Sequence, residues 1–427
     1  MRYERVVMLA VVGTLGVWAV TCKSDNGGGP PSGGTPSVDV GADLSIQPSQ
    51  TVSFTGRIAL PNGANASDYH WTLTWGDGTT DTGTLGSDGF VTAAHSYGSV
   101  GEYPLHLAAQ GPNAADTASD TSRVFVDAPG TPQVFIGAGD VAECGKPGNW
   151  PVKTAQLIDT TARSTVFTLG DNAYPYGRAE DYNNCYDPTW GRFRKRTHPT
   201  AGNHEYQENV PVMRKDSTGD GYFGYFGVAA GQQPRGWYSY NLGAWHVIVL
   251  NSNFLESEAL GRAIPLQAQL AWLSSDLAAH PATCTIAMWH HPHFSSGTTH
   301  GNKPSETQPT KPFWDTLYAH GADVILAGHE HNYERFAPQT PDGAADPATG
   351  IREFVVGTGG GGYDSLDVTK VGQLGNSEVG SVDHGVLKLT LLPGSYQWEF
   401  IPVGYTLPVD ATPPQYSHTD SGSGSCH

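Results

Sequence analysis

The sequence predicts an α/β domain preceded by a separate all-β sandwich. Two observations carry this. From residue 37 to 128 apolar and polar residues alternate with a period of two, as in Tyr69, Trp71, Leu73 and Trp75 and again in Tyr103, Leu105 and Leu107. Turn signals such as Gly76-Asp77-Gly78 separate these runs and no helical pattern interrupts them, which is the pattern of half-buried antiparallel strands. From residue 131 to 403 short β-rich runs alternate instead with helical patterns, as in α/β proteins.

The β-rich runs of the second region are Val134 to Ile136, Thr165 to Leu169, His246 to Leu250, Thr285 to Met288 and Val324 to Leu326. Helical patterns lie near Thr154 to Ala162, Leu266 to Ala279 and Phe313 to His320. A further set of strands, Glu353 to Val356, Val386 to Leu391 and Tyr396 to Ile401, closes the domain. Residues 404–427 are polar and Ser/Gly-rich and read as a C-terminal tail.

The amino terminus reads as an export signal over residues 1–21. Arg2 and Arg5 precede an apolar stretch from Val6 to Val20, shorter than the ~20 residues of a spanning helix. Ala19-Val20-Thr21-Cys22 resembles a bacterial lipoprotein cleavage box, which implies a lipid anchor at Cys22, although Thr21 is bulkier than the usual small residue. An uncleaved anchor is the competing reading. The expected location is therefore outside the cytoplasm: extracellular, periplasmic or membrane-anchored. Residues 22–36 read as a flexible linker, with Gly27 to Gly29 and Gly33-Gly34 denying it a core.

Composition sets the outer limits. The chain has 427 residues, 38% of them hydrophobic, with 11 Trp and 19 Tyr, enough for substantial cores and against wholesale disorder. A formal charge of −18 with no basic run excludes a nucleic-acid-binding surface. An acidic protein that acts on anions needs local positive charge, and bound metal ions are the usual source. There are five cysteines. With Cys22 lipidated, four remain, an even number suited to an oxidising compartment. Three pairings are possible. Cys144 with Cys185 is expected, because both follow motifs that converge, leaving Cys284 to tie down Cys426; buried free thiols are the bland alternative.

Five polar motifs stand at the downstream ends of the β-rich runs: GAGDVAEC around Asp140, GDNAYPYG around Asp171, GNHE at Asn203-His204, WHHPH around His290, and GHEHNYER around His329 and His331. Sites in open α/β sheets form beyond the carboxyl ends of strands, so five such clusters converge. Carboxylates, an amide oxygen and imidazoles are the donors that hard-to-borderline cations require. Taken one at a time these residues are caps and turn formers; the ordered set is what carries the signal. No GxSxG elbow and no P-loop pattern is present, which weighs against serine hydrolase and nucleotide-triphosphatase chemistry.

These motifs, in this order, resemble the metallophosphoesterase superfamily over Val134 to Val403. The resemblance implies a four-layer sandwich of two mixed β-sheets flanked by helices. The first motif has Ala142 where the broader superfamily has histidine, and Tyr174 stands three residues after Asp171, as in the purple acid phosphatases. Carried over by position, one metal would be held by Asp140, Asp171, Tyr174 and His331, and the other by Asp171, Asn203, His290 and His329. Two carboxylates and a phenolate favour Fe(III) at the first site; the neutral ligands of the second suit a divalent ion, Zn, Fe or Mn. Two ions ~3.5–4 Å apart generate hydroxide at moderate pH and clamp a phosphoryl group for in-line attack. His204 is placed to hydrogen-bond phosphate or the leaving oxygen, and His300, in HFSSGTTHGN, resembles the family's histidine near the leaving group. Ala142 also replaces the glycine usual in plant and animal members, which leaves an all-divalent pair with Tyr174 unbound as the alternative.

Bland readings compete at several positions. Tyr174 also reads as a packed aromatic beside the site. His291 and His293 read as neighbours, though His290 and His291 can exchange roles, and Glu205 and Arg335 read as supports. Gly359 to Gly362 offers a phosphate cradle, but an isolated glycine run more often marks a mobile loop. His198, His246 and His384 read as structural. The sandwich, with WGDGTT and HSYGSVGEYPLHL, resembles the PKD-type module of exported bacterial enzymes, in which Asp77 and His95 would be structural and a polysaccharide or protein would be the partner. The expected activity is hydrolysis of phosphomonoesters, a phosphate-ester substrate being the partner of the metal site. A phosphodiesterase or nucleotidase with the same metals is the rival within enzymes, and a non-catalytic surface binding protein the rival outside them.

Overall fold

A computed structural model describes residues 34–161, 163–206, 218–256, 264–301, 307–362, 366, 376–404 and 419–427. The expected export signal, most of the expected linker and Cys22 lie outside them.

The amino-terminal region is a sandwich of β1 (Ser37–Asp39), β2 (Leu44–Ile46), β3 (Thr51–Ala59), β4 (His70–Thr74), β5 (Thr80–Thr84), β6 (Phe90–Ser96), β7 (Gly101–Gln110) and β8 (Thr117–Val126). β1, β3 and β6 form one sheet, and β2-β8-β7-β4-β5 forms the facing one. The alternation seen in the sequence places Phe54, Leu73, Trp75, Leu105, Leu107 and Val124 in a core of its own. Asp77 binds His95 at 2.7 Å, and the His95 ring stacks on Trp75 at 4.7 Å, so this pair is structural, as expected.

The α/β region contains β9 (Gln133–Ala138), β10 (Thr165–Thr168), β11 (Thr197–His198), β12 (Tyr238–Leu242), β13 (Trp245–Val249), β14 (Cys284–Met288), β15 (Val324–Ala327), β16 (Tyr333–Phe336), β17 (Arg352–Val356), β18 (Ser377–Ser381), β19 (Gly385–Leu392), β20 (Ser395–Pro402) and β21 (Asp420–Ser425). Its helices are α1 (Trp150–Asp159), α2 (Ala179–Asp181), α3 (Asp220–Phe226), α4 (Leu266–Ala279) and α5 (Lys311–Ala319). One mixed sheet has the order β11-β10-β9-β19-β20-β21, and the other begins β18-β16-β17-β15-β14-β13-β12. The central runs are apolar on both faces: Val247 to Leu250, Ile286 to Trp289 and Val324 to Ala327 are fully buried, as strands covered on two sides must be.

The two regions share a sheet. β12 continues into β2 through the parallel pair Leu242–Ser45, so the larger sheet runs from the α/β region into the sandwich. Asp39 accepts the Val228 N–H at 2.7 Å, the Lys195 ammonium reaches Asp120 at 2.6 Å, and Arg163 reaches Asp127 at 2.7 Å. The sandwich is thus fastened to the α/β region by backbone pairing and by ion pairs.

The polar end, expected as a tail, contains a strand. β21 pairs antiparallel with β20 from Asp420 to Ser425. Its Ser/Gly composition hides it, because the glycines act by omission. A Cβ on Gly422 would lie 2.3 Å from the Trp398 ring and one on Gly424 2.4 Å from the Tyr396 ring. The aromatic residues of β20 fill the space that side chains on β21 would otherwise take.

Both expected disulfides are present, Cys144–Cys185 and Cys284–Cys426. The first closes a loop with a separation of 41 residues directly after the Asp140 motif. Replacing both of its cysteines with alanine is expected to lower unfolding free energy by about 2–4 kcal/mol. Urea midpoints of the two forms, with the second disulfide intact, check this.

Candidate metal centre

Five strand ends deliver the site. Asp140 follows β9, Asp171 follows β10, Asn203 and His204 follow β11, His290 follows β14, and His329 and His331 follow β15. Three of these strands belong to the smaller sheet and two to the larger, so the site lies where the carboxyl edges of the two sheets meet. Asp140, Asp171 and His329 have φ of 58°, 49° and 71°. They are three of the six non-glycine residues with positive φ among the described residues, a conformation that costs of order 1–3 kcal/mol each. The strand ends bend sharply to turn these side chains inward.

All of the proposed ligands are brought together. The donor atoms of Asp140, Asp171 and His290 lie within 4.8 Å of one another, as do those of His290, His291 and His329. The Tyr174 hydroxyl donates to Asp140 Oδ1 at 2.9 Å and also lies 3.1 Å from Asp171 Oδ2 and 3.0 Å from His331 Nε2. One phenolic proton therefore faces three acceptors. The His331 Nε2 is 3.3 Å from Asp140 Oδ1, and its Nδ1–H donates to the Gly362 carbonyl at 2.8 Å.

The second half is organised around His290. Its Nδ1–H donates to the Leu169 carbonyl at 2.7 Å, which turns Nε2 toward Asn203 Oδ1 at 2.9 Å, His329 Nδ1 at 3.1 Å and Asp171 Oδ1 at 3.5 Å. A carbonyl fixing one ring nitrogen so that the other faces the site is the usual arrangement around a ligating histidine. His291 lies alongside with Nδ1 on the Ser252 hydroxyl at 2.7 Å, a contact the sequence did not suggest. His293 is turned away, between the Thr307 and Pro341 carbonyls.

The electrostatics fit a cation. Asp140 and Asp171 are 0% and 2% exposed, and their ion pairs among the described residues are with histidines alone. Burial would raise Asp171, but His290 and His204 hold its carboxyl well below the usual carboxylate range. Burial would lower His290, yet the Asp171 and Asp140 charges push it up to about 9. Burial and the two carboxylates push the Tyr174 phenol far up. Burial pushes His329 and His291 well down, and nearby imidazoles add to it, so both present lone pairs. A shell of two carboxylates, a phenol, an amide and several imidazoles offers the kinds of donor that a pair of cations requires.

Two further predicted residues border this cluster. His204 is the more exposed: its Nδ1–H donates to the Pro175 carbonyl at 2.6 Å and its Nε2 faces Asp171 Oδ2 at 3.7 Å, with the side chain 28% exposed. The His300 ring lies 4.0 Å from that of His329. Glu205, read as a support, is wholly internal. It accepts N–H groups from Asp171 at 2.9 Å, Asn172 at 2.8 Å and Gly202 at 2.7 Å, and the Tyr182 hydroxyl at 3.1 Å, locking two motifs together. Burial and the nearby Asp171 charge push it up to about 7. Arg335, also read as a support, holds the carboxy-terminal strand through Asp420. Of the glycine run, Gly361 donates to the Asp140 carbonyl at 2.7 Å, and a Cβ on it would lie 3.1 Å from His331 Cε1, so the run buttresses the site.

The calcineurin-like phosphoesterase profile matches residues 79–333, more than half of the chain. The chain belongs to this family. The match includes every ligand candidate and begins within β4–β5 of the sandwich. Calcineurin-like phosphoesterases bind two metal ions, in agreement with the donor set. Purple acid phosphatase 15 of Arabidopsis thaliana is 27% identical over 183 residues, 40% of this chain and 32% of that protein. The Fe(3+)-Zn(2+) purple acid phosphatase 12 of the same plant is 30% identical over 182 residues, 40% of this chain and 36% of its own. The chain thus spans about a third of the length of these curated relatives. Purple acid phosphatase PPD1 from yellow lupin (Lupinus luteus) seeds superposes with a TM-score of 0.58 at 17% identity, covering 91% of this chain and 74% of its own, a likeness of fold.

Proposed function

We propose that this protein is an exported metal-dependent phosphatase that hydrolyses phosphomonoesters. The observation that carries the reading is the convergence of Asp140, Asp171, Tyr174, Asn203, His290, His329 and His331 at five strand ends, where the ion-pair partners of the carboxylates among the described residues are histidines. Asp140, Asp171, Tyr174 and His331 would hold one ion and Asp171, Asn203, His290 and His329 the other, with Asp171 shared. Two carboxylates and a phenol suit Fe(III), and the second set suits Zn, Fe or Mn; the relative named for Fe(3+) and Zn(2+) supports that pairing. When bound, such a pair supplies Lewis acidity toward a phosphoryl group and a nucleophile at moderate pH.

The remaining steps fall to side chains. The His204 Nδ1–H is held by the Pro175 carbonyl and Nε2 faces Asp171 Oδ2 at 3.7 Å, so that the imidazolium form, with a second proton on Nε2, would bind a phosphoryl oxygen or hand that proton to the leaving oxygen. His300, whose ring lies 4.0 Å from that of His329, would act beside the other half of the cluster. Asp171, Asn172 and Gly202, tied by Glu205, keep the second and third motifs at fixed separation, so little reorganisation is needed on binding.

Export rests on the Arg2–Val20 segment and on the two disulfides, which suit an oxidising compartment. No helix among the described residues is long and apolar enough to cross a membrane. Lipidation at Cys22 and a polysaccharide or protein ligand for the sandwich are further parts of the proposal. A chromogenic phosphomonoester and its matching diester, assayed side by side, test the activity. Faster cleavage of the monoester is expected. Preference for the diester would move the protein to the phosphodiesterases, and no cleavage of either would favour a surface binding role.

A further inference from the structure

Three internal glutamates follow the segment that leaves His290, and all three are 0% exposed. Glu353 of β17 accepts the His293 and Phe294 N–H groups at 3.1 and 3.2 Å. Glu334 of β16 accepts the Ser296 N–H at 2.7 Å and the Ser377 hydroxyl at 2.5 Å. Glu330, between His329 and His331, accepts the N–H groups of both His300 and Gly301 through Oε1. Burying a carboxylate is costly unless it is matched by donors, and here the donors, the Ser377 hydroxyl apart, are backbone N–H groups of one segment, residues 293–301. The segment begins beside one predicted ligand and ends at His300, whose ring lies 4.0 Å from His329. Gly297 makes the arrangement possible, since a Cβ there would come within 2.1 Å of the Glu330 carboxyl carbon.

We propose that Glu330 is a positioning residue: through the amides of His300 and Gly301 it sets the His300 imidazole over the site, while Glu334 and Glu353 fix the approach to it. The effect on turnover rests on the phosphatase reading above; the effect on the segment does not. Glu330 sits in the turn between two predicted ligands, so the same turn that presents His329 and His331 also dictates where His300 stands. His300 is thereby referenced to the metal centre and not to its own loop.

The test compares Glu330→Gln, Glu330→Ala, His300→Ala and the double variant in metal-loaded protein, reading kcat, KM, metal content and amide exchange of peptides spanning 293–301. An amide oxygen still accepts two N–H groups, so Glu330→Gln should stay near wild type in exchange and kcat. Glu330→Ala should exchange at least about tenfold faster at these peptides and lose about 10–100-fold in kcat, with KM little changed and two metals retained. The double variant should be no slower than His300→Ala. Gly297→Ala, which displaces the Glu330 carboxyl without removing it, should reproduce Glu330→Ala and serves if the latter does not fold. Unchanged exchange in Glu330→Ala, additive losses in the double variant, or loss of metal in Glu330→Gln would each overturn the proposal. If wild type cleaves no phosphate ester, the phosphatase reading fails while the exchange comparison still decides the role of Glu330.

Discussion

Asp171→Ala is expected to lower kcat on any phosphate ester by about 10³-fold or more, because it removes the carboxylate proposed to be shared by both ions. Asp171 Oδ1 accepts the His204 N–H at 2.9 Å and lies 3.5 Å from His290 Nε2, while Oδ2 lies 3.1 Å from the Tyr174 hydroxyl. The fold itself should persist, since the strands that frame the residue are buried hydrophobic runs that do not depend on it. Thermal unfolding separates the two effects. A ligand present at a hundredfold excess over its Kd stabilises the native state by about 2.7 kcal/mol, so divalent metal should raise the wild-type midpoint and leave that of Asp171→Ala nearly unchanged. Steady-state kinetics with a chromogenic monoester measure the loss in rate.

The second large effect is on stability and comes from the far end of the chain. Asp420, at the start of β21, accepts the Tyr333 hydroxyl at 2.6 Å, Arg335 Nε at 2.6 Å and Nη2 at 3.1 Å, and the Trp398 indole N–H at 2.9 Å. Its side chain is 7% exposed and that of Arg335 11%. Asp420→Ala leaves a buried guanidinium short of its main partner, and breaking such a pair from one side costs about 3–5 kcal/mol. Glu378 remains beside Arg335 and partly compensates. Tyr333 and Arg335 stand directly after His331, so metal affinity should fall along with stability. Urea unfolding with and without metal checks both. Asp420→Asn, which keeps the acceptor oxygen, should fall between the two.

The two regions and the residues that cluster at the strand ends were legible in the sequence for definite reasons. Period-two alternation is unambiguous where strands are half-buried, as at Tyr69 to Trp75, and fully buried runs such as Ile286 to Met288 are recognisable by their composition. The donors were found because each stands in a short polar motif directly after such a run. β21 was missed because its function is to be small: Gly422 and Gly424 give way to Trp398 and Tyr396, and a Ser/Gly string carries no period. The joining of the larger sheet through Leu242 and Ser45 was missed because a single backbone pair has no side-chain signature. The left-handed backbone at Asp140, Asp171 and His329 was equally hidden, since these residues are chosen for chemistry and not for turn propensity. Glu330 did leave a signal, a charged residue inside GHEH, but only the fold shows that it points to the backbone of His300 and Gly301.

The most direct measurement is metal content by elemental mass spectrometry on purified wild-type and Asp171→Ala protein, loaded with iron and zinc and then desalted. Two ions per chain are predicted for wild type and fewer than one for the variant. Wild type that retains no metal, or a variant that retains two, would contradict the assignment of this cluster as a binuclear centre.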